Sequence, residues 1–504
     1  MGVIKRQGIK QSAVRYFGIG IGFLSTVFIY PLLLEEIGLL RFIQNTALMI
    51  AHFFLLGGHV IAVRYFPHFR DEGKSHNGFL FLLLLWTGVG YLLFLGLYTG
   101  FNDAFFHFFR DQPEDYLQYL PYIMPLVLLM LYIQLFTDYA SNFHRIVVPF
   151  LLNELIIKLS LPILILLLYW HYLDLNWVID GMLLAYGAVL AGIVGYIAWL
   201  GELRLRPHLG FLTRKLWKEM GSFALFNVLG TWGFILANRI DIFMLGLLLG
   251  AENWKGVGIY SINLFISEVI DAPRKALDNI ASPIVADSWK REDRPHLQEL
   301  YERSSLNQTA VGLLIFLLIW ASLPDLFALM PNGTEVATGL WVMCFLGLGK
   351  VVDMATGINS LIIQHSRYYR FNFYATLMLA GLNILNNLWL IPLLGMTGAA
   401  LATLLSVVLF NLAKFLFLRI RLGMQPFSRS TLGILAVAAL AFGLGYLIPN
   451  LGEGFLLTVT SIALRSLLIA TVFVSLLLYF NLAPDLHDLA RQGLERARKL
   501  LRRR

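Results

Sequence analysis

Fourteen stretches of this chain are apolar over about the length a helix needs to cross the hydrocarbon core of a bilayer, some 20 residues. They run 13–34, 42–63, 78–99, 119–137, 147–170, 178–200, 220–250, 257–274, 306–327, 338–363, 372–394, 398–418, 431–449 and 456–480. Spans of that number take up more than half of the 504 residues, which leaves no room for a soluble catalytic domain. The composition agrees: 58% of the residues are apolar and 14% are charged, against about 25% charged in an average soluble domain. The predicted fold class is therefore an all-α polytopic membrane protein. Its single cysteine, Cys344, excludes a disulfide framework and a thiolate metal cluster.

The net charge of +8 is a topology signal rather than a nucleic-acid signal. The N-terminus and the segments that follow the even-numbered spans, with the helix-end residues Arg274 and Lys414, hold 32 of the 39 basic residues. The opposite side holds three: Arg41, Arg110 and Lys255. Basic residues collect on the cytoplasmic side, so both ends are expected there. The first span follows a basic start but has no small-residue cleavage site after it, and reads as a retained helix. The segment 275–305, with Trp289, Leu297, Leu300 and Tyr301 among its charges, reads as a surface amphipathic helix. The tail 481–504 reads as a basic helix on anionic lipid.

Three landmarks recur. Glu36-Ile37-Gly38-Leu39 pairs with Val257-Gly258-Ile259-Tyr260, Asn142-Phe143-His144-Arg145 with Gln364-His365-Ser366-Arg367, and Gly181-Met182-Leu183-Leu184-Ala185 with Gly398-Ala399-Ala400-Leu401-Ala402. The offsets are 220, 222 and 217. The expected organisation is a first lobe of six spans (1–200), a cytoplasmic linker (201–219), a second lobe of six (220–418), two appended spans (431–480) and the tail (481–504). The two lobes would be a parallel repeat about an axis along the membrane normal.

Polar side chains in a bilayer turn toward a bundle interior or a wet cavity. Asn45, His52 and His59 recur every seven residues in the second span, on one face of one helix. Asn227, Thr231, Asn238 and Asp241 share a face of the seventh; Asn263, Ser267 and Asp271 do so in the eighth, and Asn372, Asn383 and Asn387 in the eleventh. The bland reading of each stripe is interhelical hydrogen bonding, worth about 1 kcal/mol per contact. That reading is preferred for the eleventh span, and a wet cavity for the second and seventh. Glu154 and Lys158 are spaced to pair on their own helix, as are Lys350 and Asp353, while Asp271 can reach Lys275. Arg239 lies near mid-span with no such neighbour on its own helix, and Arg465 sits equally deep in the last span, so each requires a partner from elsewhere.

The segment Ile391-Pro392-Leu393-Leu394-Gly395-Met396-Thr397-Gly398-Ala399-Ala400-Leu401-Ala402-Thr403 closely resembles the hairpin of bacterial polysaccharide flippases, within the multidrug/oligosaccharidyl-lipid/polysaccharide (MOP) exporter superfamily. Asp241 through Gly246 with Val257–Tyr260, and Pro283-Ile284-Val285-Ala286 with the charged helix after it, resemble that family's seventh span and central loop. The resemblance implies two six-helix lobes around a cavity bordered by spans 1, 2, 7 and 8, working by alternating access in the bacterial inner membrane. It implies a lipid-linked substrate, because the lipid-linked branch often has fourteen spans. Lipid II flippases carry an arginine-rich cavity that this chain does not match, so an O-antigen-type polysaccharide repeat unit on undecaprenyl pyrophosphate is expected instead. The candidate cavity residues are Arg239, Asn238, Asp241, Asn227, Asn45, His52, His59, Arg15, Arg64 and Lys350. Asp241, Glu154 and Asp353 are candidates for ion coupling.

The expected partners are the lipid-linked glycan, membrane lipid and the polymerase or glycosyltransferase machinery, with no nucleic acid, cofactor or metal. Two rival readings draw on some of the same residues. A cation-coupled drug antiporter would employ Asp241, Glu154 or Asp353 as the coupling acid. A membrane enzyme would employ Glu35-Glu36 with His52 or His59 as a base, but the short outer loops and the absence of a phosphate-binding loop or nucleophile elbow speak against it.

Overall fold

Lipid tails offer no hydrogen bonds, so a chain this apolar must satisfy its backbone within each segment, and helices result. The computed structural model describes residues 17–71, 75–100, 118–143, 145–207, 210, 212–249, 254–449, 451–452 and 454–487. Among these residues the regular structure is helical throughout, with no strand. Eleven helices among them are long and apolar enough to cross a membrane. Phe17–Leu32 is apolar but shorter, and its last turns are a wide one at Ser25–Ile29 and a tight one at Tyr30–Leu32, where Pro31 sits. Leu184, Trp199, Leu456 and Tyr479 are each more than 70% exposed. Large apolar side chains turned outward in such numbers suit a lipid solvent rather than water.

The 54-residue helical stretch Tyr369–Leu422 would measure about 80 Å if straight, far more than one bilayer, and it turns back on itself. Gly395 carries the reversal at φ 59°, ψ −135°, a backbone conformation that only glycine adopts readily. Pro392 precedes it. A Cβ on Gly398 would collide with the Leu390 carbonyl oxygen, so the two legs touch at the base of the turn. Higher up, Asn386 Nδ2 donates to Ser406 Oγ across 20 residues of sequence at 2.9 Å. The motif that carries the family resemblance is thus a hairpin whose glycines are there for steric reasons.

The chain divides into two compact units, Met1–Ser261 and Ile262–Arg504, with the boundary inside the Trp254–Lys290 helix. The first unit also contains the Arg214–Leu248 helix. Its most deeply buried element is Leu34–Phe54, where Ile37, Leu39, Leu40, Phe42 and Ile43 are fully enclosed; this helix packs on Ile123–Ser141 and on Arg214–Leu248. In the second unit, Arg294–Leu329 packs on Leu340–Ala355, Arg429–Tyr446 and Phe455–Tyr479, and Leu340–Ala355 packs on Tyr369–Leu422.

The structure of the segment 275–305 corrects its reading as a lipid-surface helix. The Trp254–Lys290 helix continues into it, the chain turns at Glu292 (φ 55°), and Arg294–Leu329 begins with Asp293 capping the His296 amide. Val285, Leu297 and Tyr301 are buried in a core with Ile358, Ile362, Ile363, Leu418 and Met424. Trp289 Nε1 donates to the Ile362 carbonyl at 3.0 Å. The apolar side chains do share one face, but protein rather than lipid covers it.

Candidate functional site

In the first unit the stripe of the second span is not on one continuous helix. Leu34–Phe54 ends, and the chain passes through Leu56 (φ 48°) and Gly57 (φ 73°) before Gly58–Arg64 begins. Asn45 and His52 therefore belong to one helix and His59 to the next. The break leaves the Leu56 carbonyl without a helical partner, and Trp86 Nε1 donates to it at 3.0 Å.

The segment after the break lies beside the Arg214–Leu248 helix. His59 Nε2 and Thr231 Oγ1 are 3.5 Å apart. The Arg64 guanidinium stands 4.0 Å from the centre of the Phe223 ring, a cation–π contact. Phe53 and Trp232 pack with ring centres 4.9 Å apart. The polar stripes of the second and seventh spans are thus brought together around His59, Thr231 and Arg64. Asn227 and Asn238 each donate their amide to the carbonyl four residues back, at 2.8 and 2.7 Å. Each then has its amide oxygen to offer a hydroxyl. Asn238 and Arg64 are exposed, and Asn227, His52, His59 and Arg239 are half-buried.

Two candidates are placed differently. Asn45 is buried within the unit and donates to the Arg41 carbonyl at 2.7 Å. Asp241, also buried, accepts from Tyr260 Oη at 2.7 Å. Both are held by protein groups. Glu154 pairs with Lys158 on its own helix, as the spacing predicted, and the pair lies against Gly18. Arg15 lies outside the described residues.

Lys350 and Asp353 belong to the second unit. Asp353 turns away from Lys350: its Oδ1 accepts from Asn411 Nδ2 at 3.0 Å, and its Oδ2 is 3.5 Å from Arg274. Arg274 also binds Asp271 through two nitrogens, one at 3.1 Å, and Asp278 at 3.3 Å. Lys275 reaches Asp271 at 3.5 Å, as expected, but Arg274 is the nearer cation. Burial pushes the Asp278 carboxyl up; Arg274 lowers it, and the carboxylates of Asp353 and Asp271 raise it again. Spacing offers Arg274 as a partner of Asp271, three residues away, and of Asp278, four away; that it also takes Asp353 is decided by packing. Spacing does not find Asn411, whose side-chain partners Thr356, Asn359 and Asp353 are more than 50 residues away.

A family model described as polysaccharide biosynthesis protein matches residues 12–271. The chain belongs to that family. No curated protein matches the sequence. Among solved structures, this member of the family is similar to the lipid II flippase MurJ in an inward closed conformation, with a TM-score of 0.68 and 14% identity over 92% of this chain and 98% of that one. It is similar to an inward-facing multidrug resistance MATE family transporter of the MOP superfamily at TM-score 0.61 and 12% identity, over 82% and 98%. A single-site mutant of the Vibrio cholerae MATE transporter VcmN aligns at TM-score 0.52 and 14% identity, over 84% and 99%. At these identities the likeness is one of fold: this is a multi-pass membrane protein built like the MOP transporters.

Proposed function

We propose that this protein carries a lipid-linked oligosaccharide, an undecaprenyl-pyrophosphate-linked polysaccharide repeat unit of the O-antigen type, across the bacterial inner membrane by alternating access. In this reading fourteen spans, with both ends cytoplasmic, form two six-helix lobes and an appended pair. The observation that carries it is the meeting of two polar stripes within an apolar bundle, at His59, Thr231 and Arg64, in a member of a polysaccharide biosynthesis family. The head of such a substrate is large, anionic and rich in hydroxyls, and hydrocarbon rejects all three properties. Amide oxygens of Asn227 and Asn238 suit the sugar hydroxyls. Arg239, Arg64 and Arg15 suit the pyrophosphate through charge-assisted hydrogen bonds.

The lipid tail has a natural place as well. A cavity of about 850 Å³ in the second unit is lined by Leu313, Val351, Phe427, Leu432 and Leu435, with Arg429 among its walls. It lies against Arg429–Tyr446, the first of the two appended helices, and its apolar walls fit a prenyl chain.

Arg239→Ala, expressed at the normal level in cells lacking the parent gene, is expected to abolish surface polysaccharide. Full surface polysaccharide in that strain would remove Arg239 from the mechanism. Resistance to cytotoxic cations conferred by the parent protein would favour the antiporter reading instead.

A further inference from the structure

Among the described residues, two cations are buried within the second unit, Arg465 and Lys414, and the fold treats them differently. Arg465 is 9% exposed and meets Asp325 at 2.6 Å. Lys414 is 2% exposed, and among the described residues no carboxylate lies within salt-bridge distance of it. Its Nζ donates to Ser360 Oγ at 2.7 Å and lies 3.6 Å from the centre of the Phe410 ring. Both contacts are with uncharged groups. A guanidinium keeps its proton whatever its surroundings, so burial obliges the fold to supply a counter-charge. An amine has another recourse, because it can give its proton up.

Lys414 is nevertheless connected to charge. Ser360 Oγ donates to Asn359 Oδ1 at 3.1 Å, and Asn359 Nδ2 donates to Asn411 Oδ1 at 3.0 Å. Thr356 Oγ1 donates to the same Asn411 oxygen at 2.8 Å, and Asn411 Nδ2 donates to Asp353 at 3.0 Å. Asp353 then faces Arg274 with Asp271 and Asp278, beside the exposed Lys275. An unbroken hydrogen-bonded chain thus joins a buried amine to a partly solvated charge cluster across three helical segments. Hydrogen bonds in such a chain polarise one another, so a change of charge at one end is felt along it.

We infer that Lys414 is a proton-binding site of this protein, and that the Ser360–Asn359–Asn411–Asp353 chain couples its occupancy to the Arg274 cluster. The inference rests on the transport reading for its role in coupling, but not for the proton site itself. In the step, the Nζ–H bond breaks and the electron pair stays on nitrogen. The proton passes to a water or hydroxide on the side the site then faces. Ser360 turns to donate its hydroxyl proton to the neutral amine, which releases Asn359 Oδ1. The charged and titratable groups on the packed elements include Lys350 and Asp353 on Leu340–Ala355, His365 on Asn359–His365, and Asp271, Arg274, Lys275 and Asp278 on Trp254–Lys290, which also carries Lys255, Glu268, Asp287 and Lys290 farther along. Their charges set the field the proton enters.

Two measurements test this on the purified full-length protein. The first compares thermal unfolding midpoints of the parent, Lys414→Met and Lys414→Arg from pH 5.5 to 9. A proton site makes the gap between the parent and Lys414→Met change with pH. A gap that stays constant is what a permanently charged structural lysine gives, and it overturns the inference. The second uses liposomes and an undecaprenyl-pyrophosphate-linked oligosaccharide as the probe, with and without an imposed pH gradient. The ratio of the two translocation rates is expected to exceed one for the parent and fall to one for Lys414→Met. A ratio unchanged in Lys414→Met overturns the coupling role. A pH-dependent gap without translocation of the probe by the parent overturns the flippase reading and leaves the proton site standing.

Discussion

Asp325→Ala is expected to destabilise the protein by about 3–5 kcal/mol, the cost of leaving a buried cation without its counter-ion. Arg465 is held at three points: its Nη1 donates to Asp325 at 2.6 Å and to the Ala321 carbonyl at 2.8 Å, and its Nη2 donates to the Ile448 carbonyl at 3.2 Å. The guanidinium therefore ties the Phe455–Tyr479 helix to Arg294–Leu329 and to the end of Arg429–Tyr446. Removing the carboxylate leaves two backbone acceptors against a full charge, which is too little. Arg465→Met with Asp325→Leu is expected to recover most of the loss, because an apolar pair of similar volume carries no desolvation cost. Thermal unfolding of the purified variants decides the matter. An Asp325→Ala protein as stable as the parent would mean that the pair does not hold these three helices together.

The second large effect is expected at Gly38 and Gly258. In the first unit the start of Leu34–Phe54 crosses the start of the Trp254–Lys290 helix with no side chain between the backbones. A Cβ on Gly38 would collide with the Trp254 carbonyl oxygen, and one on Gly258 with the Leu34 carbonyl oxygen. The collisions are mirror images in sequence: 34 and 254 are separated by 220 residues, and so are 38 and 258. That is the offset of the first repeat landmark, so the two copies of the landmark meet each other. Gly38→Ala and Gly258→Ala must each push the helices apart, at a cost of about 1–3 kcal/mol by the usual penalty for overpacking. The double substitution should cost less than the two added together, because one separation relieves both clashes. Thermal midpoints of the three variants measure this. Surface polysaccharide should fall with them, because a crossing this close has no slack to absorb a methyl group. Parent-like midpoints would mean that the crossing is looser than its geometry.

What the sequence determined by itself follows from distances along the chain. Stretches of about 20 apolar residues decide that the chain lives in a bilayer, since nothing else can bury them. Contacts three or four residues apart, such as Glu154 with Lys158, or Asp271 with Lys275, are offered by the geometry of a single helix, although Lys350 and Asp353 do not take theirs up. The reversal at Gly395 is equally local. The candidate site was legible only as stripes, since periodicity says which residues share a face but not what the face meets. That His59 approaches Thr231, that Asp241 takes Tyr260, and that Asn45 points into the unit were decided by packing.

Three outcomes escaped the sequence altogether. Arg465 finds Asp325 across 140 residues, Asp353 prefers Arg274 and Asn411 to Lys350, and Lys414 is enclosed rather than set at a helix end. In each case two or more helices must first settle their rotation and depth, because a side chain's partner depends on which faces are turned together. Hydrophobicity fixes that each helix is buried in lipid or protein, whereas only the fit of one helix surface against another fixes the angle at which it sits.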